Sequence, residues 1–291
     1  MFKGSIVAIV TPFKNNEIDY NRFETLLNFH LENETDGILL LGTTGESPSI
    51  ASDEREQLIN FANKIVDGKV PLIVGTGSNN LHHTISMTSK AREKEVDAAL
   101  VITPYYNKPT QNGLYKYFAE VASKVDLPII IYNVPGRTGV NISAETTVRL
   151  AANFTNIVGI KEASGDLVQA SKIVRDTDES FCVLSGEDAV TLPLLACGAK
   201  GVISVTANVV PQKMHDMVNY ALKGDFEKAR KIHLELLDLH DIMFVETNPI
   251  PVKEALYRMN MIEKEYRLPI CEITKANKDR LDLCLKQYKL I

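Results

Sequence analysis

Lys161 is the side chain whose chemistry stands out first. It closes the apolar run Ile157-Val158-Gly159-Ile160, so the root of its stem belongs inside a protein wall. Desolvation there favours an uncharged amine, and an uncharged amine attacks carbonyl carbon to give a Schiff base. The same position also suits a buried lysine paired with a carboxylate such as Glu162. Thr44, Tyr106 and Tyr132 follow other apolar runs. Schiff-base chemistry shuttles protons, and a hydrogen-bonded set of hydroxyls can carry them. A tyrosine at such a point can instead cover a core with its oxygen in water, but three hydroxyls beside the lysine favour the chemical reading.

Two further segments suit carboxylates. Gly42-Thr43-Thr44-Gly45 lets the backbone turn tightly and present N–H groups beside two hydroxyls, although a plain turn has the same composition. Arg137 sits in the stiff turn Val134-Pro135-Gly136-Arg137-Thr138, where a fixed guanidinium can hold a second carboxylate or simply lie at the surface. Lys14 and Lys108 fall in polar loop sequence, and Lys200 precedes its apolar run rather than ending it.

Eight short apolar runs position these residues: 5–10, 37–41, 71–75, 98–103, 128–132, 157–161, 181–185 and 201–205. Most are rich in Ile and Val, as expected for strands covered on both faces of a parallel sheet. Helical periodicity fills most of the gaps, with caps expected at Asp19, Ser52, Thr110 and Ser143. Eight repeats of strand then helix imply an α/β chain folded as a (β/α)₈ barrel, because an open sheet usually has fewer strands and carries a glycine fingerprint after the first. The barrel is expected over residues 1–224. A C-terminal helical extension is expected over 225–291, with helices at 225–244, 252–259 and 274–287, the first of them following the eighth strand.

Barrel chemistry sits at the C-terminal ends of the strands. Those ends supply hydroxyls, one lysine, one arginine and glycine turns, and no histidine. His30, His82, His83, His215, His233 and His240 all fall in helical sequence and are expected to be surface or packing residues, so a metal centre at the barrel mouth is not supported. Gly75-x-Gly77 lacks the rest of a dinucleotide motif. The seventh strand ends in Glu187-Asp188, which would repel a phosphate, so the substrate is expected to be unphosphorylated.

Composition narrows the classes further. The chain has 291 residues, 45% hydrophobic and 24% charged, with a net charge of −5. Charges are mixed and no basic cluster stands out, so neither nucleic acid nor a membrane is an expected partner. Cys182, Cys197, Cys271 and Cys284 are too widely spaced for a disulfide framework or a C-x-x-C site. The apolar stretch near the start is too short for a secretory core, and no run approaches the ~20 residues needed to span a bilayer. The cytoplasm is the expected compartment.

In combination, Gly42-Thr43-Thr44-Gly45-Glu46, the segment Tyr132-Asn133-Val134-Pro135-Gly136-Arg137-Thr138-Gly139, and Gly159-Ile160-Lys161-Glu162 resemble the dihydrodipicolinate synthase and N-acetylneuraminate lyase superfamily. The resemblance covers essentially the whole chain. The double threonine, Tyr105-Tyr106 and Arg137 are similar to the synthase branch. It implies that Lys161 forms an imine with pyruvate and that Thr44, Tyr132 and Tyr106 relay protons, Tyr106 reaching in from a neighbouring subunit. It further implies that Thr43 and Thr44 hold the pyruvate carboxylate, that Arg137 binds aspartate-4-semialdehyde, and that Gly186 and Ile203 line the pyruvate pocket by their backbones. The implied product is 4-hydroxy-tetrahydrodipicolinate, on the route to diaminopimelate and lysine. No metal or organic cofactor is implied, and the assembly implied is a homotetramer built from two tight dimers.

Two other readings remain. One is a related pyruvate-lysine aldolase acting on another aldehyde or sugar acid, against which a carboxylate-binding Arg137 argues. The other is a non-catalytic keto-acid binder, which should have lost the lysine or a relay hydroxyl. Lysine-inhibited members of the family bind lysine at positions matching Ser47, Ser52, Arg55, Asn79, His83 and Tyr105. They typically carry histidines at the positions of Ser52 and Arg55 and a glutamate at that of His83, so inhibition by lysine is expected to be weak or absent here.

Overall fold

The computed structural model describes residues 2–291. Eight parallel strands close into a barrel: β1 (Gly4–Ala8), β2 (Gly37–Leu40), β3 (Leu72–Gly75), β4 (Ala98–Ile102), β5 (Ile129–Asn133), β6 (Ile157–Glu162), β7 (Cys182–Ser185) and β8 (Gly201–Ser204). Each strand pairs with its sequence neighbour, and β1 pairs with β8 to close the ring, with Ile6 opposite Ile203. The α/β barrel expected from the sequence is the one found. A short hairpin, Phe13–Lys14 with Glu17–Ile18, follows β1.

Besides a single helical turn at Pro135–Thr138, which carries Arg137, the helices are α1 (Tyr20–Glu32), α2 (Ser52–Val66), α3 (Leu81–Glu93), α4 (Gln111–Lys124), α5 (Ala144–Asn153), α6 (Leu167–Asp176), α7 (Thr191–Ala196), α8 (Pro211–Leu222), α9 (Phe226–Ile242), α10 (Ile250–Arg258) and α11 (Lys275–Gln287). Asp19, Thr110 and Ser143 cap α1, α4 and α5 by accepting from backbone N–H groups three residues on. Ser52 does not cap α2. It is the first helical residue, and the Glu54 carboxylate accepts from Ala51 N instead, at 2.9 Å. The helix after the eighth strand also differs from expectation. It is α8, opened by Pro211 at its first turn, where a missing N–H costs nothing. The segment expected there forms α9.

Strand residues alternate between two cores, as the two-residue period requires. Ile6, Ala8, Leu39, Ile73, Leu100, Ile130, Leu184 and Ile203 fill the barrel interior. Val7, Ile38, Leu40, Val74, Val101, Ile131, Ile160 and Val202 face outward and pack under the helices with Leu26, Phe118 and Met214. Truncating one of these fully buried leucines to alanine costs about 2–5 kcal/mol.

The last three helices are tied to the barrel mouth. Lys253 on α10 pairs with Glu46, the residue after Gly45 in the loop following β2, and both are buried. The Lys253 ammonium also lies 4.4 Å from the centre of the Phe13 ring. Removing one partner of such a pair strands a charge in the interior and costs about 3–5 kcal/mol. The pair therefore fixes the threonine-bearing loop against the C-terminal helices.

Candidate active site

A cavity of about 470 Å³ opens at the C-terminal ends of the strands. Its wall includes Thr43, Thr44, Tyr132, Arg137, Lys161 and Gly186. Lys161 and Tyr132 are register partners on β6 and β5, both more than nine-tenths buried. Lys161 Nζ sits 4.5 Å from the centre of the Tyr132 ring. Glu162, the carboxylate that could have neutralised Lys161, points to the opposite face of β6. It accepts from Asn133 Nδ2, Gln169 Nε2 at 3.0 Å and Ser164 N at 2.7 Å. The pairing of Lys161 with Glu162 is thereby excluded: strand alternation sends the amine inward and the carboxylate outward.

Gly186 gives the lysine stem its room. A Cβ there would lie 2.6 Å from the Ala163 Cβ and 3.0 Å from Lys161 Cε. Thr44 is buried, and Asn248 Nδ2 donates to its Oγ1 at 3.0 Å. Arg137 lies nearer the rim, where its Nη2 donates to the Asn248 carbonyl at 3.2 Å.

Two expected residues are elsewhere. Ile203 is in the apolar fill of the barrel interior, beneath the cavity rather than on its wall. Tyr106 is 89% exposed, with a φ of +72°, and does not reach Lys161 within one chain. Its neighbour Tyr105 borders a second cavity, of about 280 Å³, that shares Thr43, Leu100 and Tyr132 with the first. Ser47, Ser52, Arg55 and His83 also line this second cavity. Arg55 is held by the Ser47 hydroxyl at 2.8 Å and the Gly75 carbonyl at 2.8 Å, and burial pulls its guanidinium down to about 10.

Sequence reasoning missed three polar residues of the main cavity, His240, Asp241 and Asn248, and named Asp188 only for its charge. All four lie on its wall. The expectation that the six histidines keep to surface and packing positions is corrected for His240. Its Nδ1 meets Thr206 Oγ1 at 2.9 Å, and Thr206 Oγ1 donates to Asp188 Oδ2 at 3.1 Å. Burial lowers the His240 imidazole below its ordinary range, which favours the neutral ring. Glu187 is on the wall as well, raised above the usual carboxylate range by partial burial and then by Asp188. This acidic side suits an uncharged or cationic group and opposes phosphate. Asp241, His240 and Asn248 come from α9 and the loop after it, so a rule that inspects only strand ends does not find them.

The dihydrodipicolinate synthetase family model matches residues 1–288. A protein of Aquifex aeolicus named 4-hydroxy-tetrahydrodipicolinate synthase is 51% identical over 290 residues, covering all of this chain and 99% of that protein. A protein of the same name from Methanocaldococcus jannaschii is 49% identical over 291 residues, covering both completely. Among solved structures, dihydrodipicolinate synthase of Aquifex aeolicus superposes with a TM-score of 0.98 at 50% identity, over 99% of each chain. A monomeric dihydrodipicolinate synthase variant superposes with a TM-score of 0.98 at 45% identity, over 100% of this chain and 98% of that one. With a buried lysine beside a tyrosine at the strand ends of a closed barrel, and a full-length match, the chain belongs to the dihydrodipicolinate synthetase family.

Proposed function

We propose that Lys161 is the imine-forming residue and that the chain condenses pyruvate with L-aspartate-4-semialdehyde to 4-hydroxy-tetrahydrodipicolinate. The observation that carries this reading is the buried Lys161 amine on the cavity wall, with Tyr132 beside it and Glu162 turned away. The amine adds to the pyruvate keto carbon, and loss of water leaves the imine. Loss of a methyl proton gives the enamine, whose carbon bonds to the aldehyde carbon of the second substrate. The amino group of that substrate then displaces Lys161 at the imine carbon, which closes the ring and frees the enzyme.

The remaining roles belong to the same reading. Thr44, Tyr132 and a Tyr106 from a neighbouring subunit pass the protons. Thr43 and Thr44 hold the pyruvate carboxylate, with Gly186 leaving space beside the lysine and Ile203 backing the pocket from below. Arg137 at the rim takes the semialdehyde carboxylate. The exposure of Tyr106 supports self-association, and we infer a homotetramer made of two tight dimers. Residues 225–291 act as an extension that completes the cavity wall of the barrel formed by 1–224. Among the described residues no helix is long and apolar enough to cross a membrane, in keeping with a cytoplasmic biosynthetic role.

The test combines turnover with trapping. Pyruvate and aspartate semialdehyde together should give product in a coupled assay, and borohydride with pyruvate alone should attach the substrate to Lys161. An adduct on another lysine, or none, would overturn the assignment. Lys161→Arg should lose most turnover because a guanidinium stays protonated and does not attack.

A further inference from the structure

Asn248 touches two residues of the proposed machinery at once. It is 5% exposed, in the loop between α9 and α10, far in sequence from either. Its side-chain amide donates to Thr44 Oγ1 at 3.0 Å, and its main-chain carbonyl accepts from Arg137 Nη2 at 3.2 Å. An amide NH₂ can only donate, whereas a hydroxyl has one proton and two lone pairs. The contact therefore consumes a lone pair of Thr44 and leaves its proton unspent. Among the described residues no acceptor is recorded for that proton, and Thr44 lines the cavity with Lys161 and Tyr132.

We propose that Asn248 is a positioning residue that sets the direction of proton transfer through Thr44. By donating to Oγ1 it holds the Thr44 hydroxyl as an acceptor on the protein side and a donor on the cavity side. A relay of hydroxyls works only when each proton points the same way along the chain. Tyr132 and Thr44 can each point either way by bond rotation, so one fixed donor at the end of the chain removes the ambiguity. The main-chain contact to Arg137 is separate, because it does not depend on the Asn248 side chain. This inference rests on the proposed relay role of Thr44.

The test is a double-mutant cycle between Asn248 and Thr44. Asn248→Asp keeps the shape but replaces the donor by an acceptor, which turns the Thr44 proton away from the cavity. It should lower kcat by about 10²-fold, within the range for lost proton-transfer assistance. Asn248→Ala removes the donor without supplying a competing acceptor and should cost less. Asn248→Ala should not change KM for the semialdehyde more than about threefold, since the carbonyl that holds Arg137 remains. In a Thr44→Val background, which has no hydroxyl to direct, Asn248→Asp should cost less than about threefold further in kcat. Borohydride trapping of pyruvate on each variant verifies that the site still folds.

Full turnover in Asn248→Asp overturns the proposal, as does an undiminished effect in the Thr44→Val background. If Asn248→Asp does not trap pyruvate, the comparison rests on Asn248→Ala, whose effect must likewise vanish in Thr44→Val. Unimpaired turnover in Thr44→Val alone removes the relay role of Thr44 itself, a separate failure that also sinks this inference.

Discussion

Tyr132 and Lys161 stand opposite one another on adjacent strands, and the lysine nitrogen lies 4.5 Å from the centre of the tyrosine ring. The contact is made by the face of the ring, so removing the phenolic oxygen leaves the packing of the lysine stem in place. Tyr132→Phe therefore isolates the hydroxyl. Turnover should fall by about 10²–10⁴, the usual range for acid–base assistance, with thermal stability nearly unchanged. A fall in stability that matches the fall in rate would make Tyr132 a packing residue.

Tyr106 is exposed in a single chain, so the role proposed for it requires a second chain. Tyr106→Phe should also lower turnover. Mixing it with a Lys161→Arg variant should restore activity, because some hybrid dimers then hold one site with both side chains intact. Absence of any recovery on mixing, with subunit exchange verified by mass, would place Tyr106 outside the reaction. So would full activity in a form shown by sedimentation to be monomeric.

Arg137→Ala should raise KM for aspartate semialdehyde far more than it slows trapping of pyruvate on Lys161. The guanidinium lies at the rim on the Asn248 carbonyl, away from the buried amine. Separate measurement of the two half-reactions decides the matter: equal damage to both would mean that Arg137 shapes the turn rather than binding the second substrate.

Free lysine should inhibit weakly or not at all. Its ammonium needs a carboxylate, and the second cavity is lined by Ser47, Ser52, Arg55, His83 and Tyr105 with no Asp or Glu. Glu54 is held by Arg267, and Glu56 by Lys90 and Lys94, so neither is free to swing in. Arg55 remains cationic at neutral pH. A steady-state titration showing strong, saturable inhibition at low lysine would refute this.

Stability should fall in mild acid partly through His30. The ring is fully buried, its Nδ1 lies 3.1 Å from the Thr35 hydroxyl, and burial pulls it down to about 3. An unfolded imidazole titrates near ~6.5. The folded value is the lower one, so the contribution is complete above the unfolded value. Below it the unfolded chain takes up a proton that the fold refuses, and stability is lost at up to about 1.4 kcal/mol per pH unit until the folded value is reached. Urea unfolding of wild type and His30→Gln between pH 7 and 5 should show the steeper slope in wild type; parallel slopes would contradict this account.

The strands were legible because a parallel barrel buries both faces of every strand, which leaves unbroken apolar runs such as PIIIY and GVISV. Lys161 was legible for the same reason: it interrupts that pattern at the end facing the mouth. The bounds of helix α8 were not, because the helix expected after the eighth strand runs over 225–244, and nothing local separates the stretch from Pro211 as a helix of its own until its packing under β1 is known. Asn248 and His240 were not legible either. Nothing local marks a loop residue some 200 positions from Thr44 as its hydrogen-bond donor. Tyr106 shows the converse limit, since it is exposed in one chain and the role proposed for it needs a second.

The barrel interior below the cavity is packed solid with Ile6, Ile73, Ile130 and Ile203. The site is therefore closed from below and is reached from the mouth of the barrel. Lys161 is at depth and Arg137 near the lip, so under the roles proposed above the substrate of the lysine must enter first, and a molecule held by the arginine would stopper the shaft. A large excess of the semialdehyde should then jam entry of pyruvate, and the product must clear the same opening before another cycle begins.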